Sequence, residues 1–136
     1  MQKGWGLAHA PESVSKPVLL GLITALVVGV IAPLIVPHVA HPSMIYHIIL
    51  HLAGLTIAIF LSIVSILAYS RNRTARMLLM TFGFMSLALV EFFYLLQAGA
   101  IAIGQIIIPT VNIELSHLVL LIMVSLFGLG VLKVNK

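Results

Sequence analysis

The stretch Met44–Tyr69, MIYHIILHLAGLTIAIFLSIVSILAY, decides the fold. It carries no Asp, Glu, Lys or Arg. It exceeds the ~20 apolar residues that cross a ~30 Å hydrocarbon core. Three further stretches have the same character, at about 17–37, 75–97 and 113–132. In lipid, only helices or a closed barrel satisfy the backbone, and these runs are too long and continuous for barrel strands. The expected fold is all-α. It is an integral membrane four-helix bundle with antiparallel neighbours over 17–136, preceded by a tail over 1–16.

Composition points the same way. Of 136 residues, 62% are hydrophobic and 7% charged, with a mean hydropathy of +1.24. Soluble domains are about a quarter charged. The balance excludes a disordered chain, a nucleic-acid-binding basic module and an ordinary soluble enzyme, and makes the lipid bilayer the first partner. There is no cysteine, so disulfides, thiolate metal sites, iron–sulfur clusters and cysteine nucleophiles are excluded.

Local punctuation sets the boundaries. Pro17 suits the first turn of helix one, and Pro33 and Pro37 bend or end it. Ser43, Thr74 and Asn112 are placed to cap helices two, three and four. The link 70–74 is short, which predicts a tight hairpin of helices two and three. The apolar stretch 98–112 either lengthens helix three or lies in the interface. Helix one has an apolar run of about 19 residues, longer than the 7–15 of a secretory signal core. It therefore reads as a span rather than a cleaved leader.

The charges are segregated. All seven basic residues fall on one side of a four-span chain: Lys3 and Lys16, then Arg71, Arg73 and Arg76, then Lys133 and Lys136. The positive-inside rule makes that side cytoplasmic, with both termini inside the cell. The expected location is the plasma membrane.

The histidines and acids collect on the other side. His38 and His41 lie in the loop between helices one and two, where they read as interfacial loop residues. His47 and His51 share a face of helix two at i, i+4. That face continues through Gly54, Ala58, Ser62, Ser65 and Tyr69, a small-polar stripe suited to packing. Glu91 lies six residues before Gln97, so about 9 Å inside helix three. Glu114 and His117 are i, i+3 at the start of helix four, on a face that runs on through Leu121, Ser125 and Gly128. Ionisable groups at membrane depth face protein or a water cavity. One outer pocket of His47, His51, Glu91, Glu114 and His117 is therefore expected. Glu114 also has a plainer role beside a helix dipole.

Imidazole and carboxylate suit copper, zinc or iron, and the i, i+4 histidine pair has the spacing of helical zinc sites. The expected cofactor is a transition metal, copper or zinc, on His47, His51 and His117 with Glu91 or Glu114. Haem ranks lower, because the outer side has no Lys or Arg for propionates. A carboxylate-bridged di-iron site wants two E-x-x-H motifs and two more acids, which this chain lacks. The peptidase motif H-E-x-x-H is absent, and no catalytic motif stands out.

Gly21, Ala25 and Gly29 form a small-xxx-small stripe on helix one, for packing within or between chains. Gly54, Ala58 and Ser62 do the same on helix two. Phe92, Phe93 and Tyr94 fit an interfacial aromatic belt, and Trp5 can touch the same kind of interface. The arginines suit lipid headgroups.

Helices two to four resemble a broad family of small archaeal membrane proteins. The resemblance is carried by the basic turn YSRNRTAR (69–76), the Leu-rich helix with Gly83–Phe84, the opening IELSH (113–117) and the closing FGLGVLK (127–133). It covers roughly residues 44–136 and leaves out helix one. Members rich in His and Glu look like proteins of ammonia-oxidising archaea, where similar small helical proteins are candidate accessory subunits of the copper ammonia monooxygenase. The resemblance implies a non-catalytic accessory subunit of a membrane oxidoreductase complex and supplies no functional residues. Two alternatives stand beside it: a stand-alone metal-binding or haem membrane protein, or a proton or ion relay through Glu91 and the histidines. Larger membrane subunits or further copies of the chain are the expected partners.

Overall fold

The computed structural model describes residues 14–39, 41–99 and 106–133. The element order is α1 Lys16–Ile35, a 3₁₀ turn Val36–His38, α2 Ser43–Arg71, α3 Ala75–Ala98, a short antiparallel strand pair β1 Ile107–Ile108 and β2 Ile113–Glu114, and α4 Leu115–Leu132. All four helices are long and apolar enough to cross a membrane. Most of the tail expected over 1–16 lies outside the described residues, with Lys3, Trp5 and His9; so does Lys136.

Most boundaries follow from the local chemistry. Pro17 sits in the first turn of α1. Pro33 lies inside α1 without ending it; the chain tightens into the 3₁₀ turn, which holds Pro37. Thr74 caps α3, its Oγ1 accepting from the Met77 backbone N–H at 3.3 Å. Ser43 is the first residue of α2 rather than its cap, and its Oγ lies 2.9 Å from His41 Nδ1. The region after α3 differs more. Asn112 does not cap α4. It takes a left-handed φ of 51° in the turn between β1 and β2, a conformation that Asn tolerates well. Ile113 and Glu114 are held by the pairing Ile107↔Glu114 and Ile108↔Ile113, so α4 starts at Leu115 instead of Ile113.

The α2–α3 hairpin, joined by Asn72–Thr74, is the centre of the molecule. α4 runs antiparallel along α3, with Gly83 against the Phe127 ring and Gly130 against Met80. It makes little contact with α2. α1 lies along α2, and its end reaches α3 where Ile35 meets Gly99. The core follows this seam: Ile23, Val27 and Ile35 of α1, Ile48 and Leu55 of α2, and Leu95 and Ala98 of α3. The arrangement brings Lys16, Arg71, Arg73, Arg76 and Lys133 to one end and His38, His41, His47, Glu114 and His117 to the other. Long apolar side chains cover the outside, among them Leu22, Leu26, Leu121 and Val131. Water rejects a surface of this kind and lipid accepts it.

The small-polar stripe of α2 faces inward. Ala58, Ser62 and Ser65 are buried. The hydroxyls use their own helix: Ser62 donates to the Ala58 carbonyl at 2.7 Å and Ser65 to the Ser62 carbonyl at 2.9 Å. Thr56 and Thr81 do likewise. These hydroxyls therefore enter the interface satisfied, and they permit close packing without linking helices.

Candidate functional site

One polar contact crosses between helices. His51 Nδ1–H donates to Glu91 Oε2 at 2.8 Å. Among the described residues it is the only side-chain hydrogen bond joining two helices. His51 is 14% exposed and Glu91 21%. Each lies about 10–12 Å from its helix end at 1.5 Å per residue, so the antiparallel hairpin sets them side by side. A carboxyl at that depth needs a partner, because an unpaired polar group in an apolar setting costs several kcal/mol. The imidazole supplies it.

The contact needs a gap, and Gly54 makes it. Gly54 lies nearly one turn past His51 on the face that meets α3. A Cβ there would stand 2.8 Å from Glu91 Cδ and Oε2 and 3.0 Å from Oε1. Only glycine lets the carboxyl lie flat against α2. Tyr94, one turn beyond Glu91, closes the other side, with its ring 5.4 Å from that of His51. His47 stands edge-on to His51 at 4.8 Å but is itself exposed.

The five residues expected in one pocket thus separate into two groups. His51 and Glu91 come together, with His47 alongside. Glu114 and His117 pair with each other at 3.4 Å, with side chains 35% and 58% exposed. Their face of α4, through Leu121, Ser125 and Gly128, points away from the bundle. Among the described residues, no three His, Asp or Glu side chains come together in a group that could hold a metal ion. His47 and His51 would need further ligands from outside this set. His38 and His41 serve locally: His38 Nδ1–H donates to the Leu34 carbonyl at 2.9 Å, and His41 Nδ1 accepts from the Ser43 backbone N–H at 3.4 Å.

Chemically, the pair can do two things. It can fasten α2 to α3, and it can pass a proton between carboxyl and imidazole, since the bond survives with the proton on either partner. The His51 Nε2 edge makes no hydrogen bond to any described residue. Sequence reading missed two members of this site. Gly54 reads as one more small residue of a packing stripe, and Tyr94 as part of an aromatic belt. The spacing Glu91-x-x-Tyr94 placed both on one helix face and was the available signal. Phe92 of the same belt packs against the core.

No family model, no curated protein and no solved structure matches the chain.

Proposed function

We propose that the chain is a small accessory subunit of a larger membrane oxidoreductase complex. In this reading it crosses the plasma membrane four times. Both termini and the Asn72–Thr74 turn are cytoplasmic, and the His51–Glu91 end faces outside. The segregated lysines and arginines support the orientation. The observation that carries the subunit reading is the small-residue stripe of α1. Gly21, Ala25 and Gly29 are exposed, and among the described residues a Cβ on Gly21 or Gly29 would meet nothing within 4 Å. The equivalent stripe on α2 is used inside the chain. The one on α1 is left for a helix of another chain, since stripes of this kind let two helix backbones approach closely. The oxidoreductase part rests on the resemblance carried by residues 69–76, 113–117 and 127–133, and the archaeal ammonia monooxygenase is the complex it suggests.

The test is gentle extraction from the native membrane, with identification of what co-purifies. Fixed stoichiometry with larger subunits is the expected result. Gly21→Leu with Gly29→Leu should abolish it while leaving the isolated chain folded, because both positions are exposed and a Cβ at either has no described atom within 4 Å. Unchanged co-purification refutes the reading. Recovery of further copies of this chain alone turns it into a homo-oligomer.

The His51–Glu91 pair favours a second reading, a proton relay that works without partners. Proton flux in liposomes containing the full chain, abolished by Glu91→Gln, supports it. Flux that ignores Glu91→Gln removes it.

A further inference from the structure

We infer that the arginine end of the α2–α3 hairpin binds an anionic two-chain phospholipid, with the phosphate on Arg73 and Arg76 and one acyl chain in the groove below them. The inference rests on the membrane insertion proposed above but not on the accessory-subunit role. The groove is about 640 Å³. Its walls include Leu61, Val64 and Ala68 of α2 and Met77, Met80 and Phe84 of α3, and Arg73 and Arg76 stand at its mouth.

Three features fit this occupant. The first is a polarity gradient. Exposed guanidinium groups at the mouth give way to aliphatic, thioether and aromatic walls. The one hydroxyl in the lower wall, Ser65, is already bonded to the Ser62 carbonyl, so the wall offers an acyl chain no unmet donor. The second is length. From Leu61 to Asn72 the groove runs about 16 Å at 1.5 Å per residue. That is about half of a ~30 Å hydrocarbon core, the depth of one leaflet. The third is charge. The two carboxylates among the described residues, Glu91 and Glu114, both lie at the far end, and no described acid pairs with Arg71, Arg73 or Arg76. A guanidinium fork matches phosphate oxygens in a bidentate way. The short Asn72–Thr74 turn and the Thr74 cap hold Arg73 and Arg76 close together along the chain, so one phosphate can meet both.

The test reconstitutes the full chain in phosphatidylcholine nanodiscs containing a minor fraction of phosphatidylglycerol. Native mass spectrometry then reads the lipid retained. Phosphatidylglycerol should be kept in preference to phosphatidylcholine. Retention should weaken about fivefold for each of Arg73→Gln and Arg76→Gln, and about 30-fold for both. Lys133→Gln, at the same end but outside the groove, should change it much less. Ala68→Phe should lower retention by filling the groove with the charges intact. If that variant loses helical content, the exposed arginine variants decide alone. Equal retention of the two lipids, or retention indifferent to both arginines, overturns the site. Glycerol phosphate displacing the lipid as well as phosphatidylglycerol does also overturns it, leaving a headgroup anion site without a chain groove. Vesicle flotation keeps the two ideas apart. A chain that does not float with vesicles refutes membrane insertion and the site together. One that floats without selecting phosphatidylglycerol refutes the site alone.

Discussion

Gly54→Ala adds one methyl group to α2 and acts on a bond made by two other residues. The new Cβ would stand 2.8 Å from Glu91 Cδ and Oε2. Comfortable carbon contacts begin at about 3.5 Å. The carboxyl is the free end of a flexible side chain, so it retreats by roughly 0.7 Å or more rather than forcing the helices apart. Starting from 2.8 Å, that retreat away from α2 takes its distance to His51 to about 3.5 Å, where little hydrogen bond is left. The cost is the value of one interhelical bond, about 1–2 kcal/mol. Against it stands a gain of about 1 kcal/mol for Ala over Gly in a helix. The net change in the wild-type background is therefore small and destabilising. In a Glu91→Ala background there is no carboxyl to displace, and Gly54→Ala becomes stabilising by about 1 kcal/mol. The coupling between the two positions should be about 1–2 kcal/mol. Reversible unfolding of the full chain in detergent micelles, followed by helical circular dichroism for the four members of the cycle, measures it. Equal effects of Gly54→Ala in both backgrounds would show that the glycine is there for helix packing in general and that the reasoning is wrong.

Other positions give contrasting expectations. Gly83→Ala places a Cβ 2.6 Å from Phe127 Cε1; a rigid ring cannot step aside, so the loss should be about 1–3 kcal/mol, recovered in part by Phe127→Leu in the same unfolding assay. Thr74→Ala removes the cap of α3 and should cost about 1 kcal/mol, whereas Thr74→Ser should retain most of it. His117→Ala should change stability by less than about 0.5 kcal/mol, since its contact with Glu114 is long and exposed. A loss as large as that from His51→Ala, measured side by side, would contradict the separation of the two groups.

How much of this was legible in the sequence depends on what fixes each feature. The long apolar runs read directly, because a helix that could cross lipid has a minimum length and tolerates few charges. The tight 70–74 link and the Thr74 cap are local chemistry and read equally well. The strand pair after α3 was hidden in an isoleucine-rich stretch that a longer helix would also explain. The mark of a turn is Asn112 between two Ile-rich segments, a residue type that suits a helix cap equally well. The site was half legible. The i, i+4 spacing puts His47 and His51 on one face, but 3.6 residues per turn leave them about 40° apart. That angle turns His51 into the α3 interface and leaves His47 outside it. Nor does spacing tell a helix which neighbour it will meet. Glu114 and His117 share a face as expected, and that face turned out to belong to the outside of α4.

The shortness of the Asn72–Thr74 turn also bears on how the chain is made. In the membrane setting proposed above, a lone carboxyl inside an apolar helix is costly to insert into a bilayer, up to about 2.5–3.5 kcal/mol at the helix centre. His51 is synthesised 40 residues before Glu91 and lies on the other arm of the same hairpin. If the two arms partition into lipid together, Glu91 meets its imidazole during insertion instead of after it. The hairpin, rather than the single helix, is then the unit that a translocation machinery would have to release. In that membrane setting, a longer linker at 72–74 would burden biogenesis even where it left the finished bundle unchanged.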